Sequence, residues 1–440
     1  LGYPEVKGAP VAKEGQRAVA APGVLAKPLR EDVVSELERA RRIAPGDWVK
    51  LFGAEAPLKD IVGHLLPDAA SEIVGTINPL IARKNQKRLA EDSTRQERQL
   101  RELERFTQRL IVAGEGERNA NFWKRISAKP VDEFESQTGQ ERERFWNEVI
   151  GRFKDPDVPM NPKTRVVRET EKVRIYEVTL DVWGGVFAWG WIGIPKDWKN
   201  GEKRPVVVCQ HGLEGLPEDV FNEDVKGKAF GYYKAFALRL AEEGYVTFAP
   251  HNPYRGGDAF RTLQRKLNPV GKSLFSVIVG QHQRILEWLK AQSFTDPKRI
   301  AFYGLSYGGK AAMRVPAILP DYCLSICSGD FNEWVRKCVS TDMPMSYIDK
   351  PEYEIWEWNL GSTFNYAEMA ALIAPRPLMV ERGHNDGVGM DEWVDYEYAK
   401  VRRLYDRMGI GNLTAIEHFE GPHTINGKGS FEFLKRHLGR

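Results

Sequence analysis

The pattern of apolar and polar residues changes near residue 165 and divides the chain into two parts. Between residues 31 and 160 apolar residues recur at helical spacing, as in REDVVSELERARRI and STRQERQLRELERFTQRLIVAG. Ser93 has capping-box spacing to Gln96 at the start of the second helix, and Gly114 is expected to end it. Residues 1–30 are rich in Ala, Pro and Gly without periodicity, which predicts an extended arm or linker. The predicted domains are therefore this arm (1–30), a helical N-terminal extension (31–160) and a second domain (161–440).

Residues 161–440 have the pattern of a sheet. KVRIYEVTL and VFAWGWIGIP predict an antiparallel strand pair joined by Gly184 and Gly185. Short apolar strands then alternate with helical stretches; the strands are PVVVCQ, YVTFAP, RIAFYG, YCLSICSG, PLMVER and LTAIEHF. Because strands that are apolar throughout must be covered on both faces, the pattern predicts an α/β fold with a mostly parallel central sheet between helices. Ligands of such sheets bind at the carboxyl ends of the strands.

Composition and charge exclude several classes of function. The formal net charge is only +3 for 440 residues, with 64 basic and 61 acidic residues interleaved, so neither nucleic acid nor a membrane surface is expected as a partner. No apolar run approaches the roughly 20 residues of a membrane span. Four cysteines without metal-site spacing are expected to be buried free thiols, with a Cys327–Cys338 bond as the alternative. The chain begins at Leu1, and we expect a soluble protein, exported to the periplasm or the cell exterior.

The heptapeptide GLSYGGK, residues 304–310, contains the pattern Gly-x-Ser-x-Gly. Alone this pattern is a common Gly-rich turn. Here it follows the apolar strand RIAFY and precedes a run compatible with a helix, which is the strand–turn–helix context of a nucleophile elbow. Such a turn holds a serine hydroxyl above the sheet, beside the positive end of a helix dipole. Ser306 is therefore the candidate nucleophile.

A serine nucleophile needs a base and an acid that orients the base. His423, in FEGPHTING, lies in a loop just past the last predicted strand and is the candidate base; His384 is the rival. Asp386, in ERGHNDGVG after another strand, is the candidate acid, with Glu381 and Asp330 as alternatives and a loop-capping role as its non-catalytic interpretation. The chain order serine, aspartate, histidine is the one expected for this fold.

An oxyanion also needs backbone donors. The first candidate is the amide of Tyr307, directly after the nucleophile. The second is the amide of Leu213, in the loop HGLEG that follows PVVVCQ. We expect His211 to support this loop rather than to act as a base.

Together HGLEG, GLSYGG, RGHNDGVG and GPH resemble the α/β-hydrolase superfamily over about residues 170–440, and more narrowly its dienelactone hydrolase, acetyl xylan esterase and prolyl-oligopeptidase group. Ala374-Pro375-Arg376-Pro377 before a strand is similar to the APRP of that group. The resemblance implies the α/β-hydrolase fold, a serine hydrolase that needs no cofactor, and Ser306, Asp386 and His423 as the triad. The helical N-terminal third matches no β-propeller, which argues against a propeller-gated peptidase.

Three further residues are candidates for substrate binding. Lys310 has the offset from the serine at which glucuronoyl esterases carry a sugar-contacting lysine, although Tyr307 stands where they have arginine; otherwise Lys310 is a solvated helix residue. Trp334 belongs to a cluster with Trp356, Trp358 and Trp393, and these rings stack on sugars or fill the core. Arg255 follows a strand end and contacts an acidic or sugar group, or braces its loop through Asp258.

The sequence thus predicts a serine carboxylic-ester hydrolase that acts on small-molecule or carbohydrate esters, with acetyl or uronoyl esters of polysaccharides preferred. A serine peptidase or amidase on the same triad is the first alternative. An inactive α/β-hydrolase scaffold that binds a partner is the second. The helical extension covers the site, mediates oligomerisation or pads the sheet; the sequence does not choose among these.

Overall fold

The structure is a computed structural model that describes residues 79–341, 345–352 and 357–439, together with Val34, Leu37 and Glu38, which are helical. The chain divides into two compact units, Leu1–Thr107 and Gln108–Arg440. The predicted arm over residues 1–30 lies outside the described residues, and the predicted domain limits stay predictions.

A nine-stranded sheet forms the centre of the second unit, in the order β1-β2-β3-β5-β4-β6-β7-β8-β9. Strands β1, β2 and β3 form an antiparallel edge, β3 pairs antiparallel with β5, and the strands from β5 to β9 in this order are parallel. The strands are β1 (Lys163–Glu169), β2 (Val173–Trp183), β3 (Val186–Pro195), β4 (Arg204–Gln210), β5 (Val246–Pro250), β6 (Thr295–Leu305), β7 (Leu324–Ser328), β8 (Leu378–Gly383) and β9 (Thr414–Phe419). The predicted antiparallel pair and parallel strands are confirmed, and β1 is an additional strand.

Helices cover both faces of this sheet. The α-helices of the described residues, not all of which contact the sheet, are α1 (Pro79–Arg118), α2 (Val131–Arg144), α3 (Lys228–Tyr233), α4 (Phe236–Glu242), α5 (Asp258–Leu267), α6 (Leu274–Ala291), α7 (Tyr307–Ile318), α8 (Trp334–Val339), α9 (Leu360–Thr363), α10 (Tyr366–Ile373), α11 (Asp391–Met408) and α12 (Lys428–Leu438). Side chains of β4 alternate between two buried clusters, since Val206 and Val208 belong to one and Val207 and Cys209 to the other. This alternation explains why β4 is apolar throughout.

Two helix predictions are wrong in detail. Helix α1 begins at Pro79 and continues through Ser93 and Gly114, both predicted as ends. A Cβ on Gly114 would come within 2.8 Å of the Gly361 carbonyl oxygen, so this glycine serves close backbone contact and not helix termination. The stretch YYKAFALRLAEEG, residues 232–244, is one of the helical stretches predicted between strands. It forms two helices instead of one, because Lys234 and Ala235 both adopt left-handed backbone conformations between α3 and α4.

The remaining structural expectations concern membranes and cysteines. No helix among the described residues is long and apolar enough to cross a bilayer. All four cysteines are free, and Cys209, Cys327 and Cys338 are buried, so the expectation of free thiols is confirmed over the Cys327–Cys338 bond.

Candidate active site

Ser306 lies on a sharp turn between β6 and α7. Its φ of 63° and ψ of −121° are strained for a residue with a side chain, at a cost of roughly 1–3 kcal/mol. The flanking glycines are required by space: a Cβ on Gly304 would lie 2.2 Å from the Gly308 carbonyl oxygen, and one on Gly308 would lie 2.4 Å from that of Gln210. The Ser306 amide donates to the Ser328 carbonyl at 2.9 Å, which ties the turn to β7. This is the geometry of a nucleophile elbow.

His423 and Asp386 meet at the carboxyl edge of the same sheet. His423 Nδ1 lies 2.9 Å from Asp386 Oδ2, and the Asp386 carboxylate is buried. Since a carboxylate accepts, Nδ1 carries the proton and Nε2 keeps its lone pair. His423 and Ser306 line one cavity, and a Cβ on Gly329 would lie 2.9 Å from His423 Cε1, so the histidine loop packs against the turn after β7.

The second oxygen of Asp386 is also held. Asp386 Oδ1 accepts from the Val388 amide at 2.9 Å and lies 3.2 Å from an Arg382 guanidinium nitrogen. Arg382 is buried and also donates to Asp391 and to the Gly389 carbonyl, at 3.0 and 2.6 Å. The carboxylate is therefore fixed on both sides while it faces His423.

The alternative acids and the rival base are engaged elsewhere. Glu381 accepts from Tyr303, Ser328 and Ser430 hydroxyls and from the Gly427 amide. Asp330 accepts from the Tyr366 hydroxyl and lies 3.8 Å from Lys310 Nζ. Burial raises the pKa of both carboxyls. His384 Nδ1 lies 2.6 Å from Asp391 Oδ2. The structure thus brings Asp386, and neither Glu381 nor Asp330, to His423.

The loop after β4 lines the cavity beside Ser306. The amides of Gly212, Glu214 and Gly215 donate to the Tyr233 hydroxyl, the Tyr254 carbonyl and the Gly212 carbonyl at 2.9, 3.1 and 3.1 Å. The Leu213 amide has no such partner in the part of the chain that the structure describes. A Cβ on Gly212 would lie 3.0 Å from Ser306 Cβ, so the loop passes directly beside the serine.

His211 supports this loop, as expected. Its Nδ1 lies 2.9 Å from the Gly212 carbonyl oxygen, and its Nε2 accepts from the Asn252 amide at 3.4 Å. Burial lowers the pKa of His211 to about 3, so the imidazole is neutral at ordinary pH. A neutral ring that is fully buried outside the cavity lining braces the loop and does not act as the base.

The cavity over Ser306 and His423 has a volume of about 400 Å³. Its lining also includes side chains that the sequence did not single out, namely Glu214, Asp219, Lys228, Ala229, Tyr232, Tyr233 and Leu305. Helix α3 carries Lys228 and Tyr232, and its carbonyls at Gly231 and Tyr232 accept from the Thr424 hydroxyl beside His423. A larger cavity of about 510 Å³, lined by Arg118, Glu333, Arg336 and Trp393 among others, contains no triad residue.

Lys310 is buried, so its interpretation as a solvated helix residue is wrong. Its side chain is completely buried, with Nζ 3.8 Å from the Tyr307 ring centroid and 4.6 Å from that of Trp334. Burial lowers the pKa of Lys310 to about 8, and Lys310 does not line the cavity over Ser306. A substrate therefore cannot reach this ammonium as the structure stands.

The other two candidates for substrate binding, Trp334 and Arg255, are engaged within the protein, which agrees with the structural alternatives for both. Trp334 is buried and fills the core instead of offering a stacking face. Arg255 donates to the Glu214 carbonyl, and the Glu214 carboxylate accepts from the Gly256 and Gly257 amides at 2.7 Å each. Arg255 thus braces its loop against Glu214 and not through Asp258. Trp358 is exposed, Trp393 lines the larger cavity, and Trp356 lies outside the described residues.

Comparisons with known proteins identify the family and the fold. The sequence profile described as the Abhydrolase family matches residues 164–420. A Bacillus subtilis protein described as a hydrolase, YtaP, is 25% identical over 273 residues, which cover 60% of this chain and 88% of that protein.

Solved structures share the fold at low identity. A glucuronoyl esterase from Teredinibacter turnerae superposes with a TM-score of 0.54 at 16% identity, over 70% of this chain and 85% of that one. A Bacteroides fragilis protein described as an acetyl xylan esterase superposes with a TM-score of 0.51 at 19% identity, over 67% and 78% of the two chains.

Proposed function

The chain belongs to the Abhydrolase family, with the α/β-hydrolase fold, and from this premise we propose that it is a serine carboxylic-ester hydrolase. The observation that carries the proposal is the convergence of Ser306 on its strained turn and the His423–Asp386 pair on one cavity. The chain order of these residues is also that of the fold's triad.

In the proposed reaction the Ser306 hydroxyl attacks the ester carbonyl carbon while His423 Nε2 takes its proton. Asp386 holds the imidazole in the required tautomer and stabilises the imidazolium. The amides of Tyr307 and Leu213 donate to the tetrahedral oxyanion. His423 then protonates the leaving alcohol, which departs as the acyl-enzyme forms. Water, deprotonated by His423, attacks the acyl-enzyme and releases the carboxylic acid and the free serine.

The proposed substrates are acetyl or uronoyl esters of polysaccharides. Support comes from two structural neighbours at low identity, which are described as an acetyl xylan esterase and a glucuronoyl esterase. Glu214, Asp219 and Lys228 place three charged side chains in a cavity lining that is otherwise largely apolar, and such groups can hydrogen-bond to a hydroxylated alcohol. No observation favours an amide over an ester. The intact arrangement of triad and donors argues against an inactive scaffold.

The first experiment measures hydrolysis of p-nitrophenyl acetate by the wild type and by Ser306→Ala at equal folded concentration. We expect kcat/KM to fall by at least about 10³. Ser127→Ala is the control, because Ser127 only donates to a backbone carbonyl in the loop before α2, and it should retain the wild-type rate. Equal rates in the wild type and Ser306→Ala would refute the proposal. A fluorophosphonate probe that labels the wild type and not Ser306→Ala would support it independently. Acetylated and glucuronoyl sugars would then be compared as substrates.

A further inference from the structure

Two histidines that the proposed reaction does not use lie side by side at the last parallel strand pair. His418 is on β9 opposite Arg382 of β8, and His384 follows β8 two residues after Arg382. Because side chains two residues apart leave a strand on the same face, both imidazoles are on one face of the sheet. Helix α11 packs on β9 and brings Asp391 and Asp395, one turn apart, to the same place.

Each imidazole is paired with a carboxylate of α11. His384 Nδ1 lies 2.6 Å from Asp391 Oδ2, and His418 Nε2 lies 3.0 Å from Asp395 Oδ1. The two rings are parallel within 8°, with centroids 5.4 Å apart. One ligand atom from each of His384, Asp391 and His418 lies within 4.8 Å of the other two. The ends of β8 and β9 and the helix α11 therefore bring two nitrogen ligands and one oxygen ligand close together.

His418 also has an unused ring nitrogen. Its Nε2–H donates to Asp395, so in the neutral ring Nδ1 keeps its lone pair. This Nδ1 is shielded from solvent and has no hydrogen-bond partner in the described part of the chain. A carboxylate that accepts from the far nitrogen of an imidazole is the usual outer partner of a metal-bound histidine.

We propose that His384, His418 and Asp391 bind a first-row divalent transition-metal ion such as Zn²⁺, with Asp395 orienting His418 and water completing the coordination. Imidazole ligands favour Zn²⁺, Ni²⁺ or Cu²⁺ over Mg²⁺ and Ca²⁺. Donors about 2.1 Å from a tetrahedral ion are about 3.4 Å apart. Binding therefore requires a rearrangement in which ligand atoms up to 4.8 Å apart close by as much as about 1.4 Å, while His384 Nδ1 and Asp391 Oδ2, now 2.6 Å apart, separate by about 0.8 Å. His384, whose side chain is 44% exposed, has the space to rotate and supply it.

The charge of the cluster permits a dication. Asp391 and Asp395 contribute two negative charges and the adjacent Arg382 one positive charge. Arg382 bonds to Asp391 Oδ1, so Oδ2 is the oxygen available to the metal once the His384 proton is displaced. The four cysteines are free and three of them are buried, so they do not form a competing thiolate site.

Equilibrium dialysis of the full-length protein against Zn²⁺ tests this proposal without any enzyme assay, so its outcome is independent of the serine mechanism. We expect one Zn²⁺ per chain in the wild type, and at least tenfold weaker binding in His384→Gln and in His418→Gln. His437→Gln on α12 is the matched control and should bind as the wild type does. Asp395→Asn leaves the three ligands in place and should weaken binding less than either histidine substitution.

Cobalt substitution supplies a second measurement. Co²⁺ bound in the proposed four-coordinate site should give intense visible absorption, which His418→Gln abolishes. Circular dichroism verifies that each variant is folded before binding is compared. Absence of stoichiometric Zn²⁺ binding by the wild type, or binding that survives both histidine substitutions, would overturn the proposal.

Discussion

His282 on α6 is a fully buried imidazole whose titration links stability to pH. Its Nδ1 lies 2.7 Å from the Tyr322 hydroxyl and its Nε2 3.3 Å from Asn252 Oδ1. Burial lowers the pKa of His282 from 6.5 to about 3. The folded protein therefore keeps this ring neutral at pH 5, where the unfolded chain protonates it. The perturbation that isolates the effect is His282→Gln, compared with the wild type at pH 7.5 and pH 5.0.

The sign and size follow from proton linkage. Because the folded pKa is depressed, the unfolded state binds the extra proton, so stability is complete above about pH 6.5 and is lost as the pH falls toward 3. At pH 5.0 the unfolded state gains RT ln(1 + 10^1.5), which is about 2 kcal/mol, and at pH 7.5 it gains almost nothing. The figure depends little on the folded value, since that value lies well below 5. The difference in unfolding free energy between the wild type and His282→Gln should therefore change by about 2 kcal/mol, against the wild type, when the pH is lowered from 7.5 to 5.0.

Urea unfolding followed by tryptophan fluorescence measures the difference. Tyr322→Phe is the matched control, because it removes the hydroxyl that contacts His282 while it keeps the imidazole. Its cost should be similar at both pH values. The reasoning would be refuted if the difference in unfolding free energy between the wild type and His282→Gln were the same at both pH values within about 0.5 kcal/mol. It would also be refuted if the difference between the wild type and Tyr322→Phe narrowed by as much as that for His282→Gln.

Three further predictions concern the surroundings of the triad. Asp386→Asn should lower kcat for p-nitrophenyl acetate by about 10³–10⁴. If Asp330→Asn showed a decrease of that size and Asp386→Asn did not, Asp330 would be the acid that orients the base. Arg382→Met should lower kcat about tenfold with KM unchanged, and Arg382→Lys should restore part of it, because Arg382 positions the Asp386 carboxylate; a change in KM alone would contradict this role. Lys310→Met should cost about 3 kcal/mol in urea unfolding, because it removes the cation 3.8 Å from buried Asp330 and leaves that charge to Arg314 and Lys337; adding Asp330→Asn should recover most of that loss. A double variant no more stable than Lys310→Met would show that packing, not charge, holds this site.

The strained turn at Ser306 and the approach of Asp386 and His423 to the same edge of the sheet were predictable because their signals are local. Gly304 and Gly308 are needed by the turn itself, and the strands before Ser306, Asp386 and His423 are short apolar runs that end where the loops begin. Parallel strands bring such loops to one edge whatever the rest of the chain does. The pairing of His423 with Asp386 rather than Glu381 was not decided by the sequence, because it depends on which carboxylate other hydrogen bonds already hold.

The environment of Lys310 was not predictable for the opposite reason. Its position in α7 follows from the sequence, but the rings of Trp334 and Tyr347 that enclose its ammonium come from the segment after β7. Helical periodicity predicts on which side of its helix a residue lies. It does not predict which side chains a later segment of the chain packs over that residue. The break between α3 and α4 is similar, since neither Lys234 nor Ala235 has the glycine that usually marks a left-handed turn.

That break has a consequence for how this scaffold can diversify. Two left-handed residues without glycine cost roughly 1–2 kcal/mol each, and they turn α3 so that Lys228 and Tyr232 line the mouth of the cavity. The six-residue α3 touches the histidine loop through its Gly231 and Tyr232 carbonyls and through the Tyr232 ring, whose centroid lies 6.4 Å from that of His423. The Tyr233 hydroxyl accepts from the Gly212 amide beside Ser306, so both tyrosines are tied to the reacting groups. Evolution, or a protein engineer, can therefore exchange Lys228 to alter which alcohols are accepted, while the two tyrosines, the reacting groups and the sheet beneath them are inherited unchanged.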